Sequence, residues 1–237
     1  QAPARWLVSG VHSLTQGRVA LQDARGTVWQ GSARLQLTGG SGSLDAAALP
    51  GRLSWQLRRD GAALQAQLLA DCCIQQALRV QVSLEWGGLQ LVVSDSQSQW
   101  PASLLVGLGA PWNTLQPEGN LILETKQLKV QFQTATTWLQ GGLTLTAENM
   151  SSKLSTLQPM GTYRIQLGGS ASPNVMPSLT LSTQSGSLLL SGQGQWQGSK
   201  LQFRGEASAV PEHAEALSNL LNIIGRRQGA RSLLSLG

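Results

Sequence analysis

The chain has 237 residues, 41 % of them apolar, with 17 Lys and Arg against 12 Asp and Glu and a mean hydropathy near zero. It can bury a sizeable core, as one large all-β domain or as two halves of roughly 110 residues each. Charged residues reach only 12 %, about half the usual share, so Gln, Ser, Thr and Gly must build the polar surface, a composition unlike that of a helical cytosolic enzyme.

The formal charge of +5 comes from scattered residues that cluster only at Arg58-Arg59 and at Arg226, Arg227 and Arg231. Nucleic-acid binding needs a basic stripe with stacking aromatics beside it, and the Trp residues here alternate with Leu instead. Nucleic acid is therefore not an expected partner. No run of 18 apolar residues occurs, so no segment reads as a transmembrane helix. The chain opens at Gln1 without an initiating Met, charged n-region or cleavage site, which leads to the expectation that an N-terminal segment has been removed.

In chain order, period-two alternation dominates. Val19-Leu21, Arg34 to Leu37, Leu53-Trp55-Leu57 and Leu64-Ala66-Leu68 each place apolar side chains on one face. Leu78-Val80-Val82-Leu84-Trp86 and Leu89-Leu91-Val93 do the same across a Gly87-Gly88 hairpin turn. Pro101 to Gly109 predicts a short helix carrying Leu104, Leu105 and Leu108. Alternation then resumes at Leu121-Leu123, Leu128-Val130-Phe132, Leu143-Leu145, Tyr163-Ile165-Leu167, Leu179-Leu181, Leu188-Leu190 and Leu201-Phe203. Connections are expected at Gly39 to Ser43, Gly168 to Pro177 and Gly192 to Gly198. A final helix over Pro211 to Gly225 is predicted from the stripe Leu217, Leu220, Leu221 and Ile224, with Glu212 and Glu215 at its positive end and Gly225 as its cap. The Arg226 to Arg231 cluster reads as a charge preference at that helix end or as a solvated tail, with contact to an acidic lipid or acidic partner as the alternative.

Within this order the chain repeats itself at an offset of about 110. Gly17 to Leu21 is echoed by Gly119 to Leu123, Trp29-Gln-Gly31 by Trp138-Leu-Gln-Gly141, and Pro50 to Leu57 by Pro159 to Leu167. Trp86 to Leu91 returns as Trp196 to Phe203, and Pro101 to Gly109 as a longer Pro211 to Gly225. The expected fold is all-β: two tandem-duplicated, mostly antiparallel modules, residues 1–110 and 111–237, forming a curved sheet or sandwich. A short helix, near 101–109 and near 211–225, closes each.

Candidates for chemistry are few. His12 and His213 lie in no nucleophile motif and read as surface residues. The carboxylates Asp23, Asp45, Asp60, Asp71, Asp95 and Glu118 read as solvated turn or strand-edge residues. Asn149-Met-Ser151 matches a glycosylation sequon of the kind that arises often by chance. Cys72-Cys73 reads as two thiols on opposite faces of a strand or turn, with a vicinal or intermolecular disulfide as the alternative. Neither cysteine has the spacing to histidine that a metal site requires. Trp29, Trp138 and Trp196 read as anchors packed on the sheet beside turn glycines, with an exposed platform for glycan or lipid as the alternative, and Trp100 and Trp112 as cover for its open end. No catalytic, metal-binding or cofactor-binding residue is assigned, and no enzyme activity is expected.

The ordered set of Pro3-Ala4-Arg5-Trp6, Gly26-Thr-Val-Trp29-Gln-Gly31-Ser-Ala-Arg-Leu35, Leu53-Ser-Trp55 and Trp100-Pro101-Ala102 resembles protein N of the bacterial type II secretion system. Pro111-Trp-Asn-Thr-Leu115, Ser155-Thr-Leu-Gln-Pro159-Met-Gly161-Thr-Tyr163, Gly186 to Trp196, Phe203-Arg-Gly205 and Leu220-Leu221-Asn-Ile-Ile-Gly225 continue the likeness over essentially the whole chain. The resemblance implies an inner-membrane protein with one N-terminal transmembrane helix and a periplasmic domain, this chain being that domain. It supplies no catalytic residue. The expected partners are other secretion-system components, first the inner-membrane platform and further the secretin, met by protein contact or by strand pairing at an exposed edge. A weaker, fold-level likeness is to AsmA-type periplasmic proteins with an apolar groove. The alternative function is accordingly a periplasmic carrier of lipid or another hydrophobic ligand.

Overall fold

Alternating sequences of this kind satisfy their backbone groups by pairing sideways, and they do so here in one open antiparallel sheet. The computed structural model describes residues 2–40, 42–85, 88–133, 137–169, 176–197 and 200–236. The first half comprises helix α1 (Arg5–Leu14) and strands β1 (Val19–Gly26), β2 (Gln30–Thr38), β3 (Ala46–Ala48), β4 (Leu53–Asp60), β5 (Ala63–Ala70), β6 (Ile74–Glu85), β7 (Gly88–Val93) and β8 (Ser96–Pro101). A 3-10 helix (Ala102–Leu108) and the one-turn helix α2 (Trp112–Leu115) lead to β9 (Pro117–Gln133), β10 (Thr137–Ser152), β11 (Gly161–Gly169), β12 (Ser178–Gly186), β13 (Leu188–Gln197) and β14 (Lys200–Ala209). A second 3-10 turn (Pro211–His213), helix α3 (Ser218–Ile224) and the hairpin of β15 (Arg226–Gln228) and β16 (Arg231–Leu236) end the chain.

The sheet runs β1-β2-β4-β5-β6-β7-β9-β10-β11-β12-β13-β14-β16-β15, with β3 paired to β2 and β8 to β9. The two halves thus form one sheet rather than two. The seam is β9, which pairs with β10 along nearly its whole length while its other edge serves β8 at Asn120 to Thr125 and β7 at Leu128 to Gln133. The change of partner happens at a bulge, where Gln127 has φ of 48° and its N–H donates to Asp95 Oδ1 at 2.6 Å. Beside it, Thr125 Oγ1 donates to the Ser94 carbonyl at 2.8 Å.

Curvature follows from what the helices touch. Strands β2 and β9 are five steps apart in the sheet, about 24 Å if it were flat. The first 3-10 helix nevertheless reaches both: Ala102 lies in one apolar cluster with Leu121 of β9, and Gly107 sits so close to β2 that an added Cβ would stand 2.3 Å from the Leu37 carbonyl oxygen. Seven residues of 3-10 helix extend only about 14 Å, so the sheet must curl around them. The second half repeats this. Leu217, Leu220 and Leu221 of the α3 region share a core with Leu121, Met150, Tyr163, Leu188 and Ala207, which stand on β9, β10, β11, β13 and β14. A smaller cluster seats Leu7, Val8 and Val11 of α1 on Leu21, Ala33 and Trp55.

Several expectations are corrected. The strands expected at Leu121-Leu123 and Leu128-Phe132 are one strand, β9, because the bulge at Gln127 shifts the alternation by one residue without breaking the ladder. Gly192 to Gly198 is not a connection up to Gln197; it is the end of β13. Its inward glycines are required by Phe203, whose ring lies 2.3 Å from where a Gly192 Cβ would be. The C-terminal helix is shorter than Pro211 to Gly225, beginning as 3-10 and becoming α-helical only at Ser218. Arg226 to Arg231 is neither helix end nor tail, since it forms the β15–β16 hairpin. Helix α1 and strands β3 and β8 have no counterpart in the expected pattern. The Gly87 half of the predicted hairpin turn and much of the Gly168 to Pro177 connection lie outside the described residues.

Tyr163, the only tyrosine in the chain, is buried, and its hydroxyl has no hydrogen-bond partner among the described residues. Burial raises its pKa well above the ordinary value. The folded protein therefore holds the phenol proton more tightly than the unfolded chain does, so this contribution to stability is intact below about pH 10 and is lost as pH rises beyond it. In an alkaline absorbance titration, phenolate should appear at higher pH in the native protein than in urea, and together with loss of the strand signal in circular dichroism.

Candidate functional site

In an antiparallel ladder directly opposed residues share a face, so the registers define which side chains meet. Leu57, Ala66, Val80, Val93 and Leu128 form one cross-strand row, and Leu64, Val82, Leu91, Val130 and Leu139 a second. Leu84, Leu89 and Phe132 form a third, nearest the hairpin tips. In the second half Leu123, Leu145, Ile165 and Leu181 align, as do Leu143, Leu167 and Leu179. All lie on the face that carries the core. The opposite face bears Gln56, Gln67 and Arg79 in one row and Gln65 and Gln81 in another, where the low charge content of the chain finds its place.

Cover is uneven along this inner face. At the end closed by the first 3-10 helix, Leu49, Ala70, Cys73, Ile74 and Leu104 form a buried cluster. Toward the hairpin tips it opens: Leu128 is 8 % exposed, whereas Phe132 is 43 % and Leu84 76 % exposed. Burying such aliphatic surface is worth roughly 25 cal/mol per Å², and contiguous apolar area left open on a protein marks a site of contact. The open half of the inner face is the candidate functional site.

The residues expected to carry other roles are dispersed. Cys72 and Cys73 are disulfide-bonded to each other, so the reading of two thiols is corrected. They occupy the β5–β6 turn, where Cys73 O accepts from the Gln99 N–H of β8 at 2.9 Å. His12 is exposed on α1. His213 Nδ1 lies 2.8 Å from Ser187 Oγ, and because Val210 N also donates to Ser187 O, this pair ties the β12–β13 turn to the 3-10 turn that follows β14. Ser187 carried no signal in the sequence.

Each carboxylate with a partner holds a local structure. Asp23 faces Arg34 at 3.5 Å, Asp45 accepts from Asn113 Nδ2, and Asp60 accepts from Gln65 Nε2. Asp95 fixes the β9 bulge. Asp71 lies in the β5–β6 turn, Glu118 opposes Ser151, and Asn149 sits in a bulge of β10 with φ of 50°. Among the described residues no group of three or more His, Cys, Asp and Glu is placed to hold a metal ion.

The tryptophans divide by position. Trp55 is the buried anchor. Trp100 packs against the cores of both halves. Trp138 opposes Gln131 on the outer face, and Trp196 opposes Leu201. Trp29, expected to pack on the sheet, is instead 48 % exposed in the β1–β2 loop.

Compared with known proteins, the chain matches the family model of type II secretion system (T2SS), protein N, over residues 17–233. No curated protein and no solved structure matches it.

If the open half of the inner face serves contact rather than folding, stability should be insensitive to it. Leu84→Ser is expected to change the unfolding free energy by less than about 0.5 kcal/mol. Ile74→Ala, in the closed cluster, should cost about 2–4 kcal/mol. Urea denaturation of the two variants checks this, and equal losses would make the whole face structural.

Proposed function

We propose that this chain, which belongs to the type II secretion system protein N family, is a non-catalytic accessory subunit of that machinery, working through protein contacts. The reading places it in the periplasm as the soluble domain of a single-span inner-membrane protein. The resemblance set out above implies that placement, and the bonded Cys72–Cys73 pair suits an oxidising compartment. No helix among the described residues is long and apolar enough to cross a membrane. Its partners are other components of the system, the inner-membrane platform first and the secretin further.

We read the halves 1–110 and 111–237 as tandem copies. The segments matched in sequence occupy equivalent places: Trp29-Gly31 enters β2 as Trp138-Gly141 enters β10, and Pro50-Trp55 enters β4 as Pro159-Tyr163 enters β11. In each half six strands of the main order, β1, β2 and β4 to β7 in one and β9 to β14 in the other, precede a helix, with β3, β8 and the β15–β16 hairpin added to them.

The open inner face carries this functional reading. Strand pairing at an edge is the weaker route, since both outer edges are blunted. Strand β1 has a bulge between Gln22 and Arg25 and α1 packed beside it, while β15 has three residues, two of them arginines. Short, charged or bulged edges resist pairing. A photoreactive residue at Leu91 or Val130, on the inner face, should therefore cross-link to secretion-system components in cells, and one at Gln81, on the outer face, should not. Cross-links confined to unrelated envelope proteins would overturn the assignment.

A second reading is favoured by the aliphatic character of the same rows, which suits an acyl chain as well as a protein: a carrier of lipid or another hydrophobic ligand. Native mass spectrometry after gentle purification separates the two. Reproducibly bound phospholipid supports the carrier, and a lipid-free protein counts against it.

A further inference from the structure

The positive charge is not spread evenly along the chain. Residues 1–60 hold seven arginines against three aspartates, and the remainder holds ten basic against nine acidic residues. Nearly all the net charge therefore belongs to α1 and the first strands.

Three segments converge at one corner of this region. Ala4 N donates to Gly26 O at 3.3 Å and Val28 N to Ala2 O at 3.0 Å, while Leu57 N donates to Trp29 O at 2.6 Å. Arg5 and Trp6, Arg25 and Trp29, and Arg58 are thereby brought to the same end of the sheet. Trp6 is 64 % exposed and Trp29 48 %. Both stand on rigid supports. The Trp55 indole N–H donates to the carbonyls of Thr27 and Val28 at 3.2 and 3.1 Å, pinning the loop that carries Trp29. Helix α1 is seated by Leu7, Val8 and Val11, which turns Trp6 away from the sheet. Arg5, Arg25 and Arg58 are exposed and enter no ion pair among the described residues. The nearby carboxylates are engaged, Asp23 with Arg34 and Asp60 with Gln65.

The buried Trp55 thus fixes the loop that carries Trp29, and the seating of α1 fixes Trp6. Tryptophan partitions to the headgroup level of a bilayer, where its apolar ring and its N–H are both satisfied. Arginines beside it add attraction to anionic lipid, worth about 1 kcal/mol each near such a surface. The excess of unpaired cations selects a negatively charged partner, and exposed indoles held at a fixed end of the sheet suit an interface that yields to them. We propose that this corner, Trp6 and Trp29 with Arg5, Arg25 and Arg58, is a docking surface for an anionic lipid bilayer. It is separate from the open inner face and orients the sheet against the membrane surface.

The test uses the purified chain and two kinds of vesicle, one of phosphatidylethanolamine with phosphatidylglycerol and one of phosphatidylcholine, with binding read by flotation. The wild-type protein should float with the anionic vesicles, bind the zwitterionic ones at least several-fold more weakly, and lose binding as salt is raised. Each of Arg5→Gln, Arg25→Gln and Arg58→Gln should weaken binding about fivefold. The pair Trp6→Ala and Trp29→Ala should weaken it further, with an unchanged circular dichroism spectrum, since both side chains are exposed. Absence of flotation, equal binding to both vesicles, or arginine variants that bind like wild type would each overturn the inference. None of these results bears on the cross-linking experiment, so the bilayer contact and the secretion role stand or fall separately.

Discussion

Everything in this structure depends on one inequality between the two faces of a single sheet. The ladder satisfies backbone groups equally on both sides, but the side chains do not: one face carries Leu, Val and Ala, the other Gln, Ser and Thr. Such a sheet cannot lie flat in water with its apolar face bare. It curls, and the short helices fill the concavity that results, the first 3-10 helix in the first half and α3 in the second. The closure is incomplete, and the part left open is where an activity based on contact has room. The same inequality explains the composition, because glutamine gives a strand a polar face without charge repulsion between neighbours less than 5 Å apart.

Much of this was legible in the residues. Alternation located β1, β2 and β4 to β7 and most strands of the second half, and the stripe Leu217, Leu220, Leu221 marked α3. What escaped has physical causes. In β9 the inward residues are Leu121, Leu123 and Thr125, then Leu128, Val130 and Phe132. That change from odd to even is the mark of a bulge, but it reads equally well as two strands. Helix α1 is short and contains Gly10 and two serines, so its stripe of Leu7, Val8 and Val11 gains meaning only once β1 lies beneath it. The β15–β16 hairpin has adjacent leucines rather than alternating ones, and its arginines imitate a helix terminus. The Cys72–Cys73 bond depends on the conformation of one turn, which adjacency alone does not fix.

The candidate site was half legible. Leu64, Val82, Leu84, Leu89, Leu91 and Phe132 were each recognisable as inward residues, but the same pattern describes buried and open positions alike. The difference is set by how far the helices reach along the groove, which is a property of the tertiary fold. The exposed tryptophans show the same limit. Trp29 and Trp55 have similar strand-like contexts, yet one is the anchor and the other the group held out by it.

The seam at β9 has a consequence for how this protein comes apart. Two six-stranded runs joined only by a linker would melt separately, each at its own free energy. Here the final strand of the first run, β7, takes its outer hydrogen bonds from β9, and Trp100 lies between the cores of both halves. Opening either half strips pairing from the other, so cooperative units do not end at the boundary the repeat suggests. Pairing through β9 joins the strands on either side of it into one continuous ladder.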